Sequence, residues 1–253
     1  MDIYKQIFII TIISLVLLYL LLHLKKKEDF VPYNYGINRF KKIYYINLKD
    51  REDRDKLINK ELKKVGVNFE NVERIDAVKH EIGGIGCAKS HIKTLKKGFK
   101  ENQPYIIILE DDFIWNHDSK IVNDKLEKIY NELEKNQYDV CLLSCMGDVK
   151  NINDDISNVV KCQLTSGYII RRDYINILKN FWIQKLEEAN RLGVFNRTDT
   201  TPSYHIDQTW KELQKKDNWI ITEPVLGYQQ PSFSDIGNKI VDYYTPDKVN
   251  YIN

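Results

Sequence analysis

The chain has 253 residues, with 38 Lys+Arg against 36 Asp+Glu and a formal net charge of +2. That length suits one large domain, and 43% apolar with 11% aromatic residues supply a substantial core, which excludes a globally disordered chain. The near-neutral balance excludes a dedicated nucleic-acid binder, and 6 Pro with 11 Gly exclude collagen-like and Pro-rich architectures. The 4 Cys are too few for a disulfide scaffold of this size.

From the amino end, residues 7–24 (IFIITIISLVLLYLLLHL) are apolar. As a helix they would rise about 27 Å, close to the roughly 30 Å of a bilayer's hydrocarbon core. No small-x-small cleavage site follows, so the pattern predicts an uncleaved single-pass membrane helix, with residues 1–27 as anchor and basic flank. Lys25, Lys26 and Lys27 follow the run, against Lys5 alone before it, which favours a cytosolic C-terminal domain. The Asn196-Arg197-Thr198 sequon would be usable only in the opposite, lumenal orientation.

Residues 28–41 hold Pro32 and Gly36 without periodicity and read as a linker to a domain over 42–253. Residues 43–48 (IYYINL) predict a strand, and Asp50 can cap a helix running to about Val65, with Leu57, Ile58, Leu62 and Val65 on one face. A weaker strand over 69–75 and a helix over 87–99 follow. Residues 105–109 (YIIIL) form a continuous apolar run, the pattern of a strand buried on both faces. A helix is expected over 121–135, strands over 138–143, 159–164 and 168–170, a helix over 173–188, and another over 205–216. A short strand over 219–221 leaves an irregular tail. This alternation predicts an α/β domain with a largely parallel sheet, whose ligands sit at the carboxyl ends of the strands.

The acidic triplet Glu110, Asp111 and Asp112 occupies that kind of position. By strand alternation Glu110 and Asp112 would share a face and Asp111 would turn away. Such carboxylates repel unless a cation neutralises them, and an oxygen-only site suits Mn²⁺ or Mg²⁺ holding a diphosphate; the alternative is a solvated strand end. Asn47, Arg51 and Arg54 follow the first strand, where arginines can clamp a phosphate. Gly83, Gly84 and Gly86 precede Cys87, Ser90 and His91; a Gly-rich turn opening a helix can accept a phosphate, but this is not a Walker loop. Ser90 and His91 point about 100° apart on a helix and make a poor nucleophile–base pair. Cys87 with His91, and Cys141 with Cys145, are each four apart, yet neither is a usual zinc pattern, and buried free cysteines are favoured. His205 and Asp207 head a helix, where the carboxylate would act as general base, sugar-hydroxyl ligand or cap. Tyr228, Gln229, Gln230, Ser232, Ser234 and Asp235 form a polar tail loop, either solvated or part of a ligand site.

In order, the stretches IYYINLKDREDR, GGIGCAKSHIKTLKKG, YIIILEDD, TSGYIIRRDY, HIDQTW and QQPSFSDIG, spanning 43–237, resemble glycosyltransferase family 25. That family includes bacterial lipooligosaccharide and animal procollagen galactosyltransferases. The resemblance implies a GT-A-like (Rossmann-like) α/β fold, with a mixed, mainly parallel sheet flanked by helices. It implies inverting transfer of a hexose, commonly galactose from UDP-galactose, to a hydroxyl of a glycan or protein acceptor. The D-x-D motif for Mn²⁺ (or Mg²⁺) reads here Glu110-Asp111-Asp112, with Glu in the first place. On that basis the metal falls to Asp112, Glu110 and His205. The donor falls to Asn47, Arg51, Arg54, Ser90, His91, Glu110, Asp111, Ser166, Gly167, Tyr168 and Gln230. The acceptor base falls to Asp207, with Asp235 as runner-up. The Lys- and Asn-rich composition together with this domain looks like a giant-virus member. Two readings compete: an inactive member serving as a carbohydrate-binding or scaffolding module, and a metal-dependent phosphoesterase built on the triplet.

Overall fold

The computed structural model describes residues 10–16, 19, 31–194, 204–234, 239–243 and 248–252. Two compact units arise, Met1–Phe30 and Val31–Asn253. In the first, residues 10–16 and 19 are helical, with exposed apolar side chains such as Ile10 and Leu15. The expected membrane span is corrected here. Among the described residues no helix is long and apolar enough to cross a membrane. The single-pass localisation built on that run is therefore not supported. The sequon at 196–198 lies outside the described residues.

The second unit is a mixed α/β domain. Its large sheet is built from β1 (Ile43–Asn47), β2 (Val72–Asp76), β3 (Tyr105–Glu110), β5 (Val140–Leu142), β6 (Met146–Asn151), β7 (Ile156–Gln163), β8 (Gly167–Arg171), β9 (Trp219–Thr222) and β12 (Val249–Tyr251). The order is β12-β6-β7-β9-β5-β8-β3-β1-β2. Strands β2, β1 and β3 run parallel, as do β5 with β9 and β6 with β12, while β8 and β7 are antiparallel to their neighbours. A small sheet joins β4 (Phe113–Trp115), β10 (Gly227–Ser234) and β11 (Lys239–Tyr243).

Helices cover both faces of the large sheet: α1 (Glu52–Lys64), α2 (Gly83–Gly98), α3 (Ser119–Asn136), α4 (Ile175–Arg191), and the short α5 (Ile206–Thr209) and α6 (Lys211–Gln214). The continuous YIIIL run now has its reason. Ile106 and Ile108 pack with Ala88, Ile92 and Leu95 of α2 and Leu178 and Trp182 of α4. Tyr105, Ile107 and Leu109 pack on the other face with Ile58 and Leu62 of α1 and Val122, Leu126 and Ile129 of α3. Period-2 alternation thus sends every second side chain into a different core, and neither face can be polar.

Four local expectations differ from the fold. Residues 31–41, read as linker, are docked: Ile37 and Phe40 are buried, Tyr35 donates to Asp124 at 2.7 Å, and the Ile37 N–H donates to Asn123 Oδ1 at 2.9 Å. Asp50 does not cap α1 but pairs with Lys79, and Arg51 holds the N-cap position. The tail forms β10, β11 and β12 instead of an irregular segment. Cys145 and Cys162 form a disulfide, leaving Cys87 and Cys141 free, which corrects the expectation that Cys145 is a free thiol.

Candidate functional site

A cleft of about 350 Å³ opens at the carboxyl ends of the parallel strands β1, β2 and β3. Arg51 and Arg54 at the start of α1 form one wall. Residues 77–80 after β2 and Gly83, Gly86, Cys87, Ser90 and His91 of α2 form another. Glu110, Asp111 and Asp112 make the floor, with Gln229 and Gln230 of β10 beside them.

Strand parity decides where the triplet points. Glu110 continues the Ile106–Ile108 face and meets α2: its Oε1 lies 3.1 Å from His91 Nε2 and accepts from Thr165 Oγ1 at 2.6 Å. Burial opposes its charge, but the His91 and Thr165 hydrogen bonds hold it below the usual carboxylate value. Asp111 continues the other face and meets α1, accepting from Asn47 Nδ2 at 2.8 Å and Arg54 Nη1 at 3.1 Å. Burial still raises its pKa. The strand ends at Glu110, so alternation does not carry to Asp112. Its Oδ2 instead joins Asp111 on Arg54, at 3.1 Å, and accepts from Gln229 Nε2 at 3.1 Å. Asp111 therefore does not turn away, since all three acids line the cleft.

Asp112 Oδ1 is buried with no hydrogen-bond partner. Burial and the Glu110 charge push this carboxyl up to about 7 despite Arg54. An orphaned carboxylate oxygen on a cleft floor fits a hard divalent cation such as Mn²⁺ or Mg²⁺. Glu110, Asp112 and His205 do not gather around one point, however. Glu110 is turned to His91 and Thr165, and His205 sits against α2, where a Cβ on Gly84 would come within 2.8 Å of its ring. Among the described residues, the group of three that comes together closely enough to share an ion is Cys87, His91 and Glu110.

Other expected residues divide in two. Arg51, Arg54, Ser90, His91, Asp111 and Gln230 line the cleft. Ser90 Oγ donates to the Gly86 carbonyl at 2.7 Å and accepts from the Val78 N–H at 2.8 Å, so it fixes the loop after β2 to α2. Arg51 pairs with Asp53 at 2.9 Å. Asn47, Ser166, Gly167 and Tyr168 sit behind the lining. Asn47 also donates to the Arg51 carbonyl at 3.0 Å, Ser166 Oγ bonds Ser144 Oγ at 2.6 Å, and the Tyr168 hydroxyl lies 3.0 Å from His91 Nδ1. A Cβ on Gly167 would fall 2.5 Å from the Phe113 ring, which explains its glycine.

Asp207 is not among the lining residues. Its Oδ2 accepts from the Leu164 N–H and from Gln208 Nε2, each at 3.3 Å. Burial and, more weakly, the Glu110 charge raise its pKa, and its own charge acts on Cys87. Burial lowers the pKa of His205. Asp235 lies outside the described residues. Thr165, the first residue of the TSGY stretch, was given no role from sequence, and Cys87 was read as a buried free thiol although its i,i+4 spacing to His91 was the signal that could have placed it in the site.

Residues 82–186 match the family described as Glycosyltransferase family 25 (LPS biosynthesis protein). No curated protein matches the chain by sequence. Among solved structures, A197 from STIV is similar at 10% identity with a TM-score of 0.42, over 82% of this chain and 91% of that one. A glycosyltransferase involved in the glycosylation of the major capsid of PBCV-1 is similar at 10% identity with a TM-score of 0.40, over 72% of this chain and 91% of that one. The matched stretch 82–186 holds Cys87, Ser90, His91, the acidic triplet, Thr165 and Tyr168, so the α2–β3 side of the cleft is similar to glycosyltransferase family 25 and supports a glycosyltransferase.

Proposed function

We propose that the protein is an inverting glycosyltransferase that moves a hexose from a UDP-sugar, with galactose the leading candidate, to a hydroxyl of a glycan or protein acceptor. The observation that carries this reading is Asp112. A buried carboxylate sits on the floor of the cleft of about 350 Å³, with one oxygen fixed by Arg54 and Gln229 and the other without a partner. When bound there, Mn²⁺ or Mg²⁺ would neutralise the charge that grows on a diphosphate leaving group.

Arg54, held in place by Asp111 and Asp112, keeps a guanidinium at the cleft wall where an anionic donor would lie. Glu110, fixed by His91 and Thr165, remains an acceptor for donor hydroxyls through its other oxygen. Asp207 is the proposed base that takes the proton of the acceptor hydroxyl. Its burial and the nearby Glu110 charge, which both raise its proton affinity, support that role. Asp235 is the runner-up.

The test is a screen of UDP-hexoses with the full chain, with and without Mn²⁺, read as UDP release stimulated by acceptor. Asp112→Asn is expected to lose at least ~100-fold in turnover with an unchanged circular dichroism spectrum. Turnover that persists in that variant with the same Mn²⁺ dependence removes the basis of the reading.

A further inference from the structure

On the cleft wall beside Asp112, three side chains of different softness converge. Cys87 and His91 are four residues apart on α2 and so share one face of it. Glu110 reaches that face from the end of β3, because its parity in the strand points it there. One donor atom from each of Cys87, His91 and Glu110 lies within 4.8 Å of the others, and His91 Nε2 is already 3.1 Å from Glu110 Oε1.

We infer that Cys87, His91 and Glu110 form a binding site for a borderline-soft divalent cation, Zn²⁺ in the first instance, separate from the hard-cation position at Asp112. Tetrahedral zinc with bonds of about 2.0–2.3 Å needs donors roughly 3.3–3.7 Å apart, so the cluster has to contract by only about 1 Å. His91 is held from behind: Tyr168 Oη lies 3.0 Å from its Nδ1, which orients the ring and keeps Nε2 toward the site, the usual outer-shell support of a metal-bound imidazole. The carboxylates of Glu110, Asp207 and Asp112 all act on Cys87, so a cation entering there meets negative potential. Three protein donors leave a fourth position, and it faces the cleft that Cys87, His91 and Glu110 line. On binding, the Cys87 S–H bond is replaced by an S–metal bond and the proton leaves to solvent.

A thiolate, an imidazole and a carboxylate favour Zn²⁺, Co²⁺ and Cd²⁺ over Mg²⁺ and Mn²⁺. An ion there takes Glu110 from the cleft floor and occupies space next to Asp112. Zn²⁺ is thus an antagonist of whatever ligand the cleft serves.

The experiment uses the full chain stripped with a chelator and titrated with Co²⁺. A near-ultraviolet thiolate-to-cobalt band is expected at one equivalent. Zn²⁺ should abolish it and excess Mg²⁺ should not. Cys87→Ser should remove the band and Cys141→Ser should keep it. Tyr168→Phe should weaken Zn²⁺ binding by about 10-fold, the scale of a lost outer-shell partner. X-ray absorption of the zinc-loaded wild-type chain gives a reading that needs no variant: one sulfur at about 2.3 Å in the metal's first shell is expected. Absence of the cobalt band, a band that survives Cys87→Ser, or a first shell without sulfur each overturns the site. These readouts do not depend on transferase activity, so failure of the proposed function leaves them standing.

Discussion

Asp112 is a carboxyl whose surroundings disfavour its own charge, and that has a measurable consequence in the metal-free chain. Its folded pKa of about 7 lies above the ordinary carboxyl value near 3.9. The folded state therefore holds this proton to higher pH than the unfolded state does. The associated stability is fully present below about pH 4 and is lost progressively as pH rises toward about 7. Asp112→Asn removes the titration. In chelator, the unfolding free energy of wild type relative to that variant is expected to fall between about pH 4 and 7 by on the order of a few kcal/mol. Denaturant melts across that window check it, and a constant difference contradicts the burial argument. A second residue-scale expectation concerns Asp207. Asp207→Asn keeps the shape and the acceptor oxygen for the Leu164 N–H but loses the proton acceptor. As the base, it should cost at least ~100-fold in kcat with donor binding nearly unchanged. If donor binding weakens and kcat is spared, Asp207 is a sugar-hydroxyl ligand and Asp235 becomes the base.

At the scale of elements, the cleft depends on how the chain leaves β3. Phe113 to Trp115 forms β4, which pairs antiparallel with β10 and so brings Gln229 opposite Phe113 and onto Asp112. The same Phe113 ring lies against β8 at Gly167. Gly167→Ala would place a methyl 2.5 Å from that ring, too close for any real contact. The strand must part from β4, at an expected cost of about 1–3 kcal/mol, measurable in urea. Because Phe113 follows Asp112 directly, the variant should also raise the KM for donor. Helix α2 shows how much of the site is built from one helical face: Cys87, Ser90 and His91 lie toward the cleft, while Ala88, Ile92 and Leu95 bury against the sheet.

At the scale of the whole molecule, the cysteines divide into two populations. Cys145 enters β6 and Cys162 leaves β7, and the two sulfurs are bonded across that hairpin. Cys141 is buried in the sheet, and Cys87 lines the cleft. The denatured but unreduced chain should therefore titrate two thiols, and the reduced chain all four. Peptide mapping should join Cys145 to Cys162. Four thiols before reduction would contradict the pairing.

The strands were legible where burial dictates composition locally. YIIIL has to be a central strand because both its faces are covered, and the acids after it have to stand at a strand's carboxyl end, where a parallel sheet opens to ligand. The helices over 52–64 and 119–136 likewise follow from apolar spacing on one face. Periodicity reports which face is buried, not what covers it. Arg54 bridging Asp111 and Asp112, and Thr165 meeting Glu110, join residues more than fifty positions apart; Gln229 reaches Asp112 across 117. The same limit hid β10, whose polar residues are chosen by β4 and the cleft, and the Cys145–Cys162 pair, which only the β6–β7 register brings within bonding distance. Local composition also misled at the amino end, where an apolar run of bilayer length did not translate into a described helix long and apolar enough to span one. Sequence therefore determined the buried central strands, the helical faces and the position of the acids. Tertiary structure decided which partners neutralise each acid, because those partners arrive from elements that local pattern cannot align.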